Sequence, residues 1–368
     1  MKIGIAGAGL AGRLLALACL QRGWDVTLFD ADDDRGQTSC GFVAAGMLAP
    51  YTESESCEPL LCALGLQALE IWPEILKPLS LPVSFHRHGT LVVSHPQDTA
   101  ELVRFKNILD RKLTLSHSDT TILQAVTREK LEEVAPGIAP IFKHGFWLPT
   151  EGHINTQEFY LATTAYLQQQ NVTWHPHTQV KNINPFQIEL ADATHEFDLV
   201  CDCRGLGAKD AWPELLRGIR GEVIWLQTSS VTLECPLRLL HPRHSIYISP
   251  RTNHTFVVGA TSIESEDTSE ICVESMLELL STAYTLHPGF GQARIIKTLT
   301  QARPAFSDQQ PKLMYQKGLL KINGLHRHGY MAGPAVIQEA LKLVAKGKEA
   351  LTFPELLLES EETACKLS

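Results

Sequence analysis

The sequence predicts an α/β protein (α+β overall) of two domains, one of them a Rossmann-like dinucleotide-binding fold. Three observations carry this. The 368 residues suffice for two domains at about 150 residues each. The composition, 44% hydrophobic and 20% charged with Gly 25 and Pro 20, is that of a globular chain rather than a disordered, collagen-like or disulfide-stapled one. The first thirty residues place a strand, a glycine motif, a helix, a second strand and a terminal acid in that order.

Lys2 to Ala6 reads as a buried strand, and Gly7-Ala8-Gly9-Leu10-Ala11-Gly12 follows it as G-x-G-x-x-G. Arg13 to Arg22 is rich in Leu and Ala and reads as a helix, with Gly23 as its C-cap. Asp25 to Phe29 is a second strand, and Asp30 stands 18 residues beyond Gly12, close to the spacing of a dinucleotide fold. Each part has a physical role. Gly7 permits the tight turn, Gly9 lets backbone approach a pyrophosphate, and Gly12 lets helix and strand pack closely. The helix N-terminus offers unpaired N–H groups and a positive dipole end to phosphate, while Asp30 accepts hydrogen bonds from ribose hydroxyls.

Charge and cysteine usage exclude other classes. The 41 acidic against 32 basic residues, net −9, include no basic stripe, so a nucleic-acid partner is not expected. Asp32-Asp33-Asp34, the densest charge run, reads as a solvated turn. Nine scattered cysteines without a Cys-x-x-Cys pair argue against a disulfide framework or a zinc site and for reduced thiols in the cytoplasm. Cys201-x-Cys203 reads as packing. His-Arg-His-Gly occurs at 86–89 and again at 326–329, but no carboxylate cluster completes a metal site beside either. No G-x-S-x-G elbow supports a hydrolase. Met1 to Leu20 is apolar like a signal peptide, yet Arg13 interrupts it and no small-residue cleavage pattern precedes Arg22 and Asp25. Charge-free runs such as Cys40 to Tyr51 fall short of the roughly 18 residues of a membrane helix, so no membrane span is expected.

The glycine motif alone does not separate a nicotinamide from a flavin cofactor. Three later features favour FAD. Thr38 to Met47 is a run of small residues that lets backbone approach a flat ring. In mid-chain, Asn171 to Trp174, Gln179 to Ile183 and Phe197 to Asp202 read as strands, and the last ends at Arg204-Gly205-Leu206-Gly207-Ala208, where a long dinucleotide would be covered a second time. Leu319 to Gly324 is again strand-like, and after His326-Arg327-His328-Gly329-Tyr330 the span Pro334 to Ala345 reads as a helix. The N-terminal dipole of that helix would stabilise an anionic reduced ring.

Together with Ala44-Ala45-Gly46-Met47-Leu48-Ala49-Pro50, Leu216 to Leu226, His241-Pro242-Arg243, Ile246 to Arg251, Val257 to Thr261, Ala302-Arg303-Pro304 through Asp308 and Pro311, and Asn323 to Gly329, these motifs form an ordered series over most of the chain. The series resembles the glycine oxidase (ThiO-like) branch of the D-amino-acid-oxidase-like FAD-dependent oxidoreductases. The resemblance implies a discontinuous FAD-binding domain and an antiparallel-sheet substrate domain laid over the flavin. It implies FAD contacts from Gly7, Gly9, Gly12, Asp30, Ala44, Ala45, Gly46, Met47, Val180, Gly205, Gly207, His328, Gly329, Tyr330 and Met331. Arg303 matches the arginine that clamps the substrate carboxylate, Tyr247 a tyrosine of the substrate pocket, and Arg327 an arginine beside the active site. Ser262 falls near a position that is often Met in that branch, and Asp30 stands where many relatives have Glu. No cysteine lies between 303 and 334, where some relatives attach the flavin, so the FAD is expected to be non-covalent.

The FAD domain is expected at 1–85, 145–215 and 300–368, and the substrate domain at 86–144 and 216–299. Phe85 to Ser94, Gly221 to Gln227, Ser245 to Ser249 and His254 to Ala260 read as strands of its antiparallel sheet. Asp98 to Lys112 and Glu274 to Leu286 read as flanking helices, and Glu359 to Ser368 as a frayed polar tail.

The implied chemistry asks little of protein acids and bases. A hydride leaves the α-carbon of a neutral amine for the flavin, and water hydrolyses the imine; the protein's task is to hold the substrate. The expected reaction turns a small amino acid, glycine first, into a keto acid, ammonia and hydrogen peroxide. Oxygen or another electron acceptor is the partner, and homo-oligomers are frequent among relatives. In the family this activity supplies the imine for the thiazole of thiamine. The alternatives are a sarcosine or D-amino-acid oxidase or dehydrogenase, a flavin-binding partner protein without turnover, and a nicotinamide-dependent dehydrogenase.

Overall fold

Alternation of Ile3 and Ile5 with small residues gives β1 (Lys2–Ala6), buried from Ile3 to Ala6, at the centre of the first sheet of this computed structural model. The structure describes residues 1–113, 122–212, 215–241 and 245–358. Pro242-Arg243 and the tail from Glu359 to Ser368 lie outside the described residues. Helix α1 (Leu10–Leu20) begins three residues earlier than the composition suggests, because Gly9 already serves as its N-cap. Then follow β2 (Asp25–Phe29), α2 (Cys40–Val43), β3 (Met47–Leu48), α3 (Pro50–Glu53), α4 (Pro59–Leu76), β4 (Phe85–His86), β5 (Thr90–Ser94) and α5 (Thr99–Lys112). After β6 (Gln124–Thr127), α6 (Arg128–Val134), β7 (His144–Leu148), β8 (Gly152–Ile154) and α7 (Thr156–Gln169), the chain returns to the first sheet with β9 (Thr173–His175). A small meander, β10 (Asn182–Asn184), β11 (Gln187–Glu189) and β12 (Thr194–Glu196), leads to β13 (Leu199–Asp202). The remainder is β14 (Arg217–Gln227), β15 (Leu237–Leu240), β16 (Ser245–Arg251), β17 (Thr255–Gly259), α8 (Val273–Leu286), β18 (Arg294–Ala305), β19 (Lys312–Gln316), β20 (Leu319–Asn323) and α9 (Gly329–Lys346).

The first sheet has the order β19-β20-β13-β1-β2-β9, parallel except for β19. Of the expected mid-chain strands, those at Asn171–Trp174 and Phe197–Asp202 return to it as β9 and β13, and the late one at Leu319–Gly324 returns as β20, whereas the run Gln179–Ile183 leads only into β10 of the separate meander. The second sheet has eight strands in the order β18-β14-β17-β16-β15-β5-β7-β6. It is antiparallel except at β15·β5, which run parallel, so the expected antiparallel sheet is mixed at one pairing. The strand expected from Phe85 to Ser94 is two strands. Gly89 turns the chain at φ +87°, with Trp147 Nε1 only 2.2 Å from where a Cβ would stand, and this sends β4 into a separate three-stranded sheet with β3 and β8.

Two polar groups organise the helices around the first sheet. α4 is the described helix long and apolar enough to cross a membrane by length and composition, and it packs on α9 inside the protein. Trp72 of α4 stacks on Tyr330 and donates its indole N–H to Tyr330 O at 3.0 Å. That carbonyl is free because Pro334, four residues on, has no N–H to give it. α9 thus starts at Gly329, five residues before the expected Pro334, and carries the proline inside its second turn. Arg13 is fully buried and donates to Ala8 O, Tyr160 O and Asp34 O at 2.9, 3.1 and 2.7 Å, tying α1 to α7 and to the acidic turn. Arg13→Met is expected to lower stability by about 3 kcal/mol or more, because three carbonyl oxygens lose donors at roughly 1 kcal/mol or more each. A denaturant midpoint unchanged from the parent would contradict that role.

Candidate active site

A cleft of about 550 Å³ opens at the C-terminal ends of β1, β13 and β20 and runs under β14, β16 and β18 of the second sheet. It lies beside the central strand of the parallel sheet, where doubly wound folds bind dinucleotides, and its size is that of a ligand pocket.

Glycines shape one end. Gly7 takes φ +94°, and a Cβ there would stand 2.5 Å from Cys203 O. A Cβ on Gly12 would stand 1.9 Å from Gly7 O, which is the close helix–strand packing expected of it. Gly9 is different: nothing lies within 4 Å of its Cβ position, so the space beside it is open. Gly7, Gly9, Asp30, Gly205 and Gly207 line the cleft. Asp30 accepts from the Ala8 amide and, at 2.7 Å, from the Asp32 amide, so the acid is anchored onto the glycine loop. The acidic turn is more than a solvated run. Asp32 also lines the cleft, accepting from Thr38 N at 2.9 Å, and Asp33 takes the Gly36 amide at 3.0 Å. Val180 is placed elsewhere: its side chain is buried with Ala6, Phe29 and Val200 behind the sheet and is not among the lining residues.

Ala44, Ala45, Gly46 and Met47 line the middle of the cleft, fixed from behind by Thr156, whose hydroxyl donates to Ala44 O at 3.0 Å. His328, Gly329, Tyr330 and Met331 line it from the start of α9. Of the two His-Arg-His-Gly segments, 326–329 lines the cleft, whereas 86–89 lies at β4 and the turn to β5.

This surface fits FAD. Both α1 and α9 bring N-termini to the cleft without a side-chain cap or an acid in the first turn, leaving donors and positive dipole ends for an anionic ligand. The Tyr330 hydroxyl and both ring nitrogens of His326 are buried at its wall without a hydrogen-bond partner. Gly9 leaves the backbone bare where the pyrophosphate would pass.

The other end gathers charge. Arg303, on β18 opposite Ile219, donates from Nη1 and Nη2 to Thr261 O, both at 3.2 Å. Burial, with Arg327 nearby, lowers its pKa to about 10, which still leaves it cationic at neutral pH. Tyr247 and Arg327 are brought to the same place by a residue that sequence reasoning missed, Glu53 at the end of α3. The buried Glu53 carboxylate accepts from Tyr247 Oη at 2.6 Å and lies 3.3 Å from Arg327 Nε. Burial alone would raise its pKa, but Arg327, then His328, Arg238 and the Tyr247 hydroxyl outweigh it and hold it at about 2. Tyr247, matched to a tyrosine of the substrate pocket, donates its hydroxyl hydrogen bond to Glu53. Burial lowers the pKa of His326 to about 2 and of His328 to about 4, so both rings are neutral near pH 7. Cys40 and Ser262 also line the cleft.

The Arg303 guanidinium rests on Gly221 of β14, where a Cβ would stand 1.9 Å from Nη2. Gly221→Ala is therefore expected to displace this flexible side chain rather than the sheet. Substrate affinity should fall at least tenfold while bound flavin is retained; unchanged affinity would show that Arg303 is not the clamp.

Among known families, the model for DAO, FAD dependent oxidoreductase, matches residues 2–341. A Rhizobium etli protein described as a thiamine biosynthesis oxidoreductase ThiO is 36% identical over 342 residues, covering 93% of this chain and 96% of its own. A Nostoc protein named bifunctional ThiO/ThiG is 22% identical over 94% of this chain, which spans only about half (52%) of that longer protein. The structure of glycine oxidase from Geobacillus kaustophilus is similar with a TM-score of 0.84 at 20% identity, covering 97% of this chain and 98% of that one.

Proposed function

The chain belongs to the DAO family of FAD dependent oxidoreductases, and on that premise we propose that it oxidises the amine of a small amino acid, glycine first. The products are an imine that hydrolyses to the keto acid and ammonia, and hydrogen peroxide from oxygen. The description of the Rhizobium etli relative supports a place in thiamine biosynthesis, and the scattered reduced thiols support a cytoplasmic location. The observation that carries the reading is the Arg303 guanidinium beside the Glu53–Tyr247–Arg327 cluster, in the same cleft as the Gly7–Gly12 turn.

Bound in that cleft, FAD supplies the capacity to accept two electrons from the amine. Gly7, Gly9, Asp30, the Ala44–Met47 backbone, Gly205, Gly207 and the start of α9 would hold it, with Gly12 closing the turn behind. The chain's own residues do the rest by binding and orientation. Arg303 turns two of its five N–H donors to Thr261 O and has the rest for a carboxylate. Glu53 Oε2 is buried without a hydrogen-bond donor and accepts from the amino group. Tyr247 and Arg327 hold that carboxylate in place and keep it ionised. Two arginine charges against one glutamate leave a single positive charge for the substrate end, which matches a monocarboxylate with a neutral amine. The neutral His326 and His328 add none.

A panel of glycine, sarcosine, D-alanine and D-proline, scored for peroxide release in air and for dye reduction without it, tests this reading. Turnover with glycine foremost is expected. Dye reduction without peroxide would make the protein a dehydrogenase, and no turnover with any member would contradict the proposal.

A further inference from the structure

Glu151 is a fully buried carboxylate that the proposed chemistry does not use, in the turn between β7 of the second sheet and β8 of the small sheet. Oε1 accepts the Thr52 amide at 2.7 Å and Oε2 the Thr52 hydroxyl at 2.6 Å. The Thr52 carbonyl is held from the other side by Arg238 Nη1 at 2.7 Å, and Arg238 Nη2 reaches Glu55 Oε2 at 2.6 Å. Donor, hydroxyl and acceptor of one residue are thus all fixed by buried groups from elsewhere in the chain. The next residue is Glu53. Arg238 lies directly across β15·β16 from Tyr247, its guanidinium 5.3 Å from the Tyr247 ring, so the arginine that holds Thr52 also braces the tyrosine that donates to Glu53.

We propose that Glu151, through Thr52, and Arg238 are positioning residues that clamp α3 and so aim the Glu53 carboxylate at the amino group of the substrate. This rests on the amino-acid reading of the cleft. The price of such a clamp is a buried carboxylate to which no cation is directly bonded among the described residues. The titratable and charged groups that face Glu151 are Glu53 on α3, Cys62 on α4, Cys235 before β15, Arg238 on β15 and Tyr247 on β16. Burial raises the Glu151 pKa to about 7 against the opposing bonds from Thr52. As pH rises through that value, the carboxylate becomes an acceptor for both Thr52 donors, so the aim of Glu53 improves on the alkaline side of neutrality.

The test uses the FAD-loaded protein and three variants, Glu151→Gln, Thr52→Val and Thr52→Ser. Glycine KM is measured alongside the dissociation constant of glycolate, read as a perturbation of the flavin spectrum without turnover. In Glu151→Gln and Thr52→Val both constants are expected to rise about tenfold with kcat changed less than twofold. Thr52→Ser, which keeps hydroxyl and amide, should stay within twofold of the parent. The parent's KM should improve through about pH 7, and Glu151→Gln should lose that step. If the parent neither binds glycolate nor turns over glycine, the amino-acid reading of the cleft falls and this assignment with it. If the parent does both and Thr52→Val matches it in both constants, the clamp alone is overturned. Should Glu151→Gln fail to fold, the Thr52→Val and Thr52→Ser pair decides.

Discussion

Arg303→Ala is expected to cut kcat/KM for glycine by roughly 10²–10³-fold while FAD stays bound. Two N–H donors of Arg303 converge on Thr261 O, which fixes the guanidinium at the cleft wall before substrate arrives. Truncating one partner of a buried, hydrogen-bonded charge pair costs about 2–5 kcal/mol, because the other charge is left unpaired. At 1.4 kcal/mol per decade this spans the predicted loss. Arg303 is turned to Thr261 O rather than to Glu53, whereas Tyr247 and Arg327 both face that carboxylate. The loss should therefore appear mainly in KM, with the flavin spectrum of the resting protein intact. A variant with near-parental affinity would move the clamp to Arg327 and leave Glu53 in the wrong place for an amine.

Gly9→Val is expected to weaken FAD binding at least a hundredfold and yield a colourless protein with the parent's apoprotein stability. Gly9 sits at φ −68° and ψ −166°, a conformation any residue adopts, so the substitution strains no backbone. Apart from its chain neighbours, nothing lies within 4 Å of the added Cβ. The side chain would instead enter the space that the exposed α1 amides leave for the pyrophosphate. The neighbouring glycine gives the contrast. Gly7 has φ +94° and a Cβ position 2.5 Å from Cys203 O, so Gly7→Val should destabilise the fold itself. A yellow, fully loaded Gly9→Val protein would mean that the cofactor lies elsewhere.

What the sequence disclosed follows the range of the forces involved. The β1–Gly7–α1–β2–Asp30 unit is legible because each part answers a local demand: a tight turn, a bare backbone, an uncapped helix end. The later strands of the parallel sheet are legible as short apolar runs, though their neighbours in the sheet are not. The start of α9 is displaced from Pro334 because a tertiary donor, Trp72, satisfies the carbonyl that proline leaves free. Glu53 escaped notice for a related reason. It stands in a four-residue helix with no periodicity, and its partner Tyr247 is 194 residues away. Arg13 has a role that its place in the sequence does not disclose. Its charge interrupts the apolar run at the N-terminus, and the structure buries it completely as the tie between α1 and α7. The side chain of Val180 packs with Ala6, Phe29 and Val200 behind the sheet, a placement that a short apolar run does not disclose.

On the proposed reading, an amino acid bound between Arg303 and Glu53 would give its electrons to an FAD lying along Gly9 and the start of α9. Adding glycine to the purified flavoprotein in the absence of oxygen tests it in one step. Glycine is expected to bleach the bound flavin's visible absorbance, which should return when air is admitted. Full retention of the absorbance with glycine, sarcosine and the small D-amino acids alike would contradict it.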